Sequence, residues 1–224
     1  MGAPDPAQLL TALTTEHFTL QGARSQTMSE TSARASVYMY SVSSVLVALG
    51  FVSQVADGDG AVFEVFALTV LPVIYFLGCA TYLRLVECGA EDLRYGMAIN
   101  RIRGYYKELA DDRADLFLLS GYDDAAGVFL NMGVAPERRS PAFAFSTAIA
   151  VVNGVVGGAV VALALGAIPD LPLWLAAVVG VIVAAASIVG WVRRAGPILE
   201  AAARQATPRF PSPSPPLSPS PSPD

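Results

Sequence analysis

The sequence predicts an all-α membrane protein: four transmembrane helices arranged as two hairpins, with helical cytoplasmic extensions. Three observations predict it. Two long apolar runs flank the turn DGDG, a second pair flanks GAIPD, and all fourteen Lys and Arg residues lie outside those runs and turns. A helix rising about 1.5 Å per residue needs about 20 residues to cross a hydrocarbon core roughly 30 Å thick, and each run has that length. The apolar share of 54% against 15% charged residues is far from that of a soluble domain. The net charge of −5 leaves no basic surface of the kind that binds nucleic acid.

Residues 1–35 form the first segment. Nothing before Arg24 is basic or strongly apolar, so no cleavable signal is expected. From Ala7 the positions Leu10, Leu13, His17, Leu20, Arg24 and Thr27 recur at three- and four-residue steps, which predicts a cytoplasmic helix as far as Ala35, either continuous or broken near Gly22. Glu30 and Arg34 sit at i, i+4 in the favourable order.

Residues 36–83 make the first transmembrane hairpin. Ser36 to Ala56 carries no ionisable group except two tyrosines, and the second arm has Glu64 as its one charge. Neither arm has the polar face of a soluble amphipathic helix. Residues 84–141 form a cytoplasmic helical region. The stripe Val86, Ala90, Leu93, Met97, Ile102 and Tyr105 predicts that the second span continues to about Leu109 and packs on the N-terminal helix as one antiparallel pair. Asp111 and Asp112 are expected to cap a short helix ending at Ser120-Gly121, and Asp123 or Asp124 another ending at Gly133. The linker VAPERRSP leads to the second hairpin, residues 142–192. Residues 193–224 are expected to be a disordered cytoplasmic tail ending in PSPSPPLSPSPSPD.

Charge sets the expected orientation. The two hairpin turns hold Asp57, Asp59 and Asp170 and no cation, so the positive-inside rule puts both termini and the middle region in the cytoplasm of a bacterial inner membrane protein. Tyr38, Tyr82, Phe143 and Trp191 fall at the inner boundary, Phe63 and Trp174 at the outer one.

Candidate functional residues follow from what is polar or small inside the spans. Ala150, Gly154, Gly158, Ala162 and Gly166 recur every four residues in the third span, and Ala176, Gly180 and Ala184 answer them in the fourth. Such ridges let backbones approach where lipid gives no hydrophobic drive, either between these two helices or between protomers. Asn153 beside the ridge is either a helix-to-helix hydrogen-bonding group or a pore-lining one. Ser36, Tyr40 and Ser44 align on one face of the first span, as a water path or as hydroxyls bonded to their own helix. Pro72 is expected to kink the second span, as a gate or as a shape.

Cys79 and Cys88 lie nine residues apart on one helix, roughly 13 Å, too far for a disulfide. The midplane of the spans has no Asp, Glu, Lys, Arg or His, which argues against a coupled transporter. His17, beside Glu16, has no partner for a catalytic dyad in sequence. Asp111, Asp112, Asp115, Asp123 and Asp124 form an acidic cluster that either caps helices or holds a divalent ion. No phosphate loop, nucleophile elbow or metal motif is present, and no cofactor is expected.

The stretch TTEHFTLQGARSQTMSETSARASVYMYSVSSVLVALGFVSQ, with TVLPVIYFLG and NRIRGYY, resembles a group of uncharacterised four-helix integral membrane proteins of GC-rich bacteria. The resemblance covers most of Leu10 to Arg194 and implies the topology. In layout the chain is also similar to SLATT-type membrane effectors, which join membrane helices to flanking cytosolic ones. The expected function is a non-enzymatic multi-pass scaffold or regulatory subunit acting through helix association. Its partners are the lipid bilayer and a homo-oligomer or membrane protein. The alternative is an oligomeric pore or pore-forming effector; a lipid-modifying enzyme using the acidic cluster is a third reading.

Overall fold

The computed structural model describes residues 5–55, 60–133 and 141–213, with the backbone alone for 141–145. Most of the DGDG turn, the VAPERRSP linker before Pro141 and the final run 214–224 lie outside the described residues. The elements are α1 (Pro6–Val55), α2 (Gly60–Ala110), a 3-10 stretch (Asp111–Leu116), α3 (Ala125–Asn131), α4 (Pro141–Gly166) and α5 (Leu173–Arg204). No strand occurs among the described residues. Four of these helices, α1, α2, α4 and α5, are long and apolar enough to cross a membrane.

α1 and α2 pack along their length as an antiparallel pair. Tyr106 meets Thr14, Asp92 meets Arg24, Arg84 meets Glu30 and Gly78 meets Tyr38, so one helix number falls as the other rises. Of the two alternatives at Gly22 the helix takes the unbroken one, and α1 is continuous for 50 residues. One glycine costs a helix only about 1 kcal/mol. The ion pairs and contacts that seat α1 on α2 outweigh that cost. α2 continues to Ala110, one residue past the expected end, and stays helical through Pro72.

α4 and α5 form a second antiparallel pair, with Gly154 near Ile188 and Gly158 near Gly180. Their first contact with the other pair is through α2. Tyr75 lies against Gly157, and the Tyr82 hydroxyl donates to the Trp191 carbonyl at 2.6 Å while the two rings meet at a tilt of 56° with centroids 5.2 Å apart. The core runs between the pairs, from Ala67 and Leu71 through Tyr38, Ile149 and Ala150 to Tyr82, Leu85 and Ala195. A smaller cluster of Leu93, Met97 and Val128 seats α3 on α2.

Two expectations about the region after α2 fail. Asp111 and Asp112 cap nothing: Ala110 is the cap of the 3-10 stretch and makes no side-chain bond, and Asp111 has φ +48°. No helix reaches Ser120-Gly121. The chain instead lies extended there, because Gly121 sits flat on the Gly104 backbone, where a Cβ would come within 2.6 Å of the Gly104 Cα. Asn131 accepts from the Ser120 N–H and hydroxyl and donates to the Ser120 carbonyl, which fixes that path. Asp124 does cap α3, accepting from the Gly127 N–H at 2.7 Å, and Gly133 follows with φ +69°.

The tail also differs from expectation. Residues 193–204 are helical, Pro197 included, and residues 207–213 run as an extended strap over α2. A proline inside a helix removes one backbone bond, and here the packing of Ala195, Ile198 and Leu199 on the core holds the helix together.

Candidate functional site

Asn153 is 1% exposed and joins three helices. Its Oδ1 accepts from the Tyr38 hydroxyl at 3.1 Å, and its Nδ2 donates to the Cys79 sulfur at 3.4 Å. Gly78 makes the junction fit, since a Cβ there would collide with the Asn153 amide and come within 2.9 Å of the Tyr38 ring. The sequence reading singled out Asn153 and missed Tyr38, Gly78 and Cys79. Tyr38, expected at the inner boundary, is 0% exposed. In this chain the Asn153 amide is a packing hydrogen-bond group between α1, α2 and α4.

The small-residue ridge lies against α5 of the same chain. A Cβ on Gly180 would stand 2.7 Å from the Gly158 carbonyl oxygen and 2.8 Å from the Ala162 Cβ, and one on Gly154 would be 3.1 Å from the Ala184 carbonyl. Gly166 is looser, with Leu173 the nearest side chain, and Ala150 is fully buried in the core. The close approach of two backbones is the physical reason for glycine at Gly158 and Gly180.

The remaining candidates are not brought together. Ser36, Tyr40 and Ser44 all lie on the outward face of α1, and Tyr40 is 72% exposed. The Ser44 hydroxyl donates to the Tyr40 carbonyl at 2.9 Å, a bond within its own helix. Pro72 is half-buried in α2, six residues before Gly78. Asn153 is buried between the helices, whereas Ser36, Tyr40 and Ser44 face away from it.

Beyond the apolar zone α1 and α2 are held by charge. Arg24 makes a two-pronged pair with Asp92 at 2.7 and 3.1 Å, and Arg84 makes another with Glu30 at 2.9 and 3.1 Å. Arg34 also reaches Glu30, and Arg84 reaches Glu87 and Glu91. Hydrogen bonds from Arg84, then Arg34, bring the Glu30 carboxyl down to about 2. Burial, then the positive charge of Arg103, lowers the His17 ring, which lies beside Tyr106. Burial pushes the Cys88 thiol up, so it is a packing residue and a poor nucleophile.

The acidic cluster divides in two. Asp111, Asp112 and Asp115 are exposed on the 3-10 stretch. Asp123 and Asp124 hold the C-terminal strap. Asp123 accepts from the Arg101 guanidinium and from the backbone N–H groups of Arg209 and Phe210, at 2.5, 3.0 and 2.7 Å. Its own N–H donates to the Phe210 carbonyl. Asp124 accepts from the Ser212 N–H and hydroxyl, and the Phe210 ring fills the notch left by Gly104. Burial raises the Asp123 and Asp124 carboxyls, but the donors around them outweigh it and hold both below the usual aspartate range. Among the described residues no three ligating side chains converge as a metal site would require, so capping of α3 and capture of the strap account for these two aspartates.

An apolar groove of about 640 Å³ opens between α1, α2 and the strap, floored by Leu13, Leu20, Met97 and Ile102 with Arg101 and Arg209 at its rim. Compared with known proteins, the chain matches no family model, no curated protein and no solved structure.

Proposed function

We propose that this chain is a multi-pass membrane scaffold or regulatory subunit of non-enzymatic type, built on two transmembrane hairpins with both termini in the cytoplasm of a bacterial cell. The observation that carries the proposal is the continuous α1–α2 pair. It leaves the apolar zone as an ion-paired stalk, residues 6–35 against 84–110, about 45 Å long at 1.5 Å per residue. Membrane insertion is supported by the bareness of the apolar helices: in the most apolar window of α5 only 11% of residues are buried by the rest of the chain. Water would penalise that surface heavily, whereas lipid does not. The lack of cations in both turns supports the orientation.

The far end of the stalk carries the partner-binding surface in this reading. Leu9, Leu10, Leu109, Leu116 and Leu118 are exposed there, Leu118 at 96%. Isolated exposed leucines are ordinary, but five at one end of a polar stalk form a sticky tip. The test is the mass of the particle extracted from its own membranes in mild detergent. A complex heavier than the chain is expected, and it should dissociate when Leu116 and Leu118 are both changed to serine. A bare 23.4 kDa chain in each case would overturn the scaffold reading.

A second reading, an oligomeric pore, is favoured by one observation: Ser36, Tyr40 and Ser44 face outward, where copies of the chain would meet. Induced expression with a potential-sensitive dye separates the two. Rapid depolarisation supports the pore, and an unchanged potential supports the scaffold.

A further inference from the structure

α5 carries Val183, Ser187, Gly190 and Arg194 at steps of four, three and four residues, which is one stripe of a helix. That stripe lines a surface groove of about 440 Å³ whose opposite wall is the Tyr75 ring of α2 and whose upper edge is Trp191. The groove is open because its floor is bare: no atom lies within 4 Å of the position a Cβ would take on Gly190. Trp191 is held by Tyr82, and the Tyr75 ring is seated on Gly157 while its hydroxyl meets that of Ser187 at 3.5 Å at the base of the groove.

Its length and charge match one kind of ligand. From Val183 to Arg194 the helix rises about 16 Å, close to half of a roughly 30 Å hydrocarbon core. Val183 falls at the middle of the apolar run of α5 and Arg194 just past its end, so the groove covers one leaflet from midplane to headgroup. Arg194 lines its mouth and Arg193 precedes it on the helix. Both are exposed, and neither has a carboxylate partner among the described residues, unlike Arg24, Arg34, Arg84 and Arg101. Two unneutralised guanidinium groups above an apolar channel complement a phosphate on a hydrocarbon tail.

We propose that this groove binds one anionic phospholipid of the arginine-side leaflet, its acyl chain along Val183–Gly190 and its phosphate between Arg193 and Arg194. The proposal rests on the membrane-spanning reading. The test uses the full chain in lipid discs of phosphatidylglycerol and phosphatidylcholine, with retained lipid counted by native mass spectrometry. One phosphatidylglycerol per chain is expected, preferred roughly thirtyfold, as suits two cations beside a headgroup. The double change Arg193→Gln with Arg194→Gln should abolish the preference. Gly190→Leu, which meets open space, should lower occupancy by both lipids without altering the charge. Equal retention of the two lipids by the unaltered chain, or a preference that survives loss of both arginines, would overturn the site. Alkaline carbonate washing of the same membranes separates the two failures: a chain that washes off overturns the spanning reading and the site together, while a chain that stays without lipid preference overturns the site alone.

Discussion

Changing Tyr38 to phenylalanine removes one donor from the Asn153 amide and leaves the ring in place, whereas changing Gly78 to alanine drives a methyl group into both. The first is expected to cost about 0.6–1 kcal/mol, the range of single hydrogen bonds between membrane helices. The second is expected to cost more, about 1–3 kcal/mol, because an overpacked junction must move backbone. Unfolding in mixed micelles measures both, and an equal cost would mean that the hydrogen bond, not the close fit, sets the junction. Asp123 and Asp124 give a second residue-scale prediction. Their carboxyls lie below the ordinary value of 3.8 when the strap is docked, so docking contributes stability that is complete above that value and is lost as pH falls through the lowered ones. The protection factors of the Arg209, Phe210 and Ser212 amides, which divide out the intrinsic pH dependence of exchange, should therefore be high at neutral pH and fall in acid. Protection factors that stay constant across that range would show that the carboxylates do not hold the strap.

At the scale of elements, the long helices were readable, and their neighbours were not. Apolar runs and the stripe through Met97 and Ile102 fix α1, α2, α4 and the start of α5 to within a few residues, while the end of α5 at Arg204 lies twelve residues past the expected one. Tyr38 and Gly78 were missed because each looks ordinary alone. Pairing them needed the register: 38 and 78 reflect about residue 58, as do 24 and 92, and 30 and 84 do so about 57. The strap was missed for a different reason. Proline and serine composition predicts disorder, yet recognition here runs through backbone N–H groups, which every non-proline residue has whatever its side chain. The register makes its own prediction. Asp92→Ala leaves the half-buried Arg24 guanidinium without its buried partner and is expected to destabilise the stalk by about 1–3 kcal/mol. Thermal unfolding followed by circular dichroism checks this, and Arg34→Ala, which removes an exposed i, i+4 pair, is the near-neutral comparison at about 0.5 kcal/mol or less.

For the whole molecule, the place of the ridge changes what a familiar experiment means. Leucines at Gly154 and Gly158 strike Ile188, Ala184 and Gly180 of the same chain. The double variant is expected to unfold at lower temperature while the mass of any particle that stays folded, measured by light scattering, equals that of the unaltered chain. Clean conversion of an oligomer into stable monomers would place a copy of the chain on the ridge and contradict the internal packing. The continuous α1–α2 pair has one more consequence. Tyr38–Gly78, Glu30–Arg84 and Arg24–Asp92 are engaged at one offset, so a slip of one turn, about 5.4 Å, would break all three together. Sliding within the pair is thereby opposed, and a stalk held in this way would move as a lever. A small tilt of the proposed spans swings the leucine tip through a wide arc, whereas stretching or thinning the bilayer leaves the spacing within the pair unchanged.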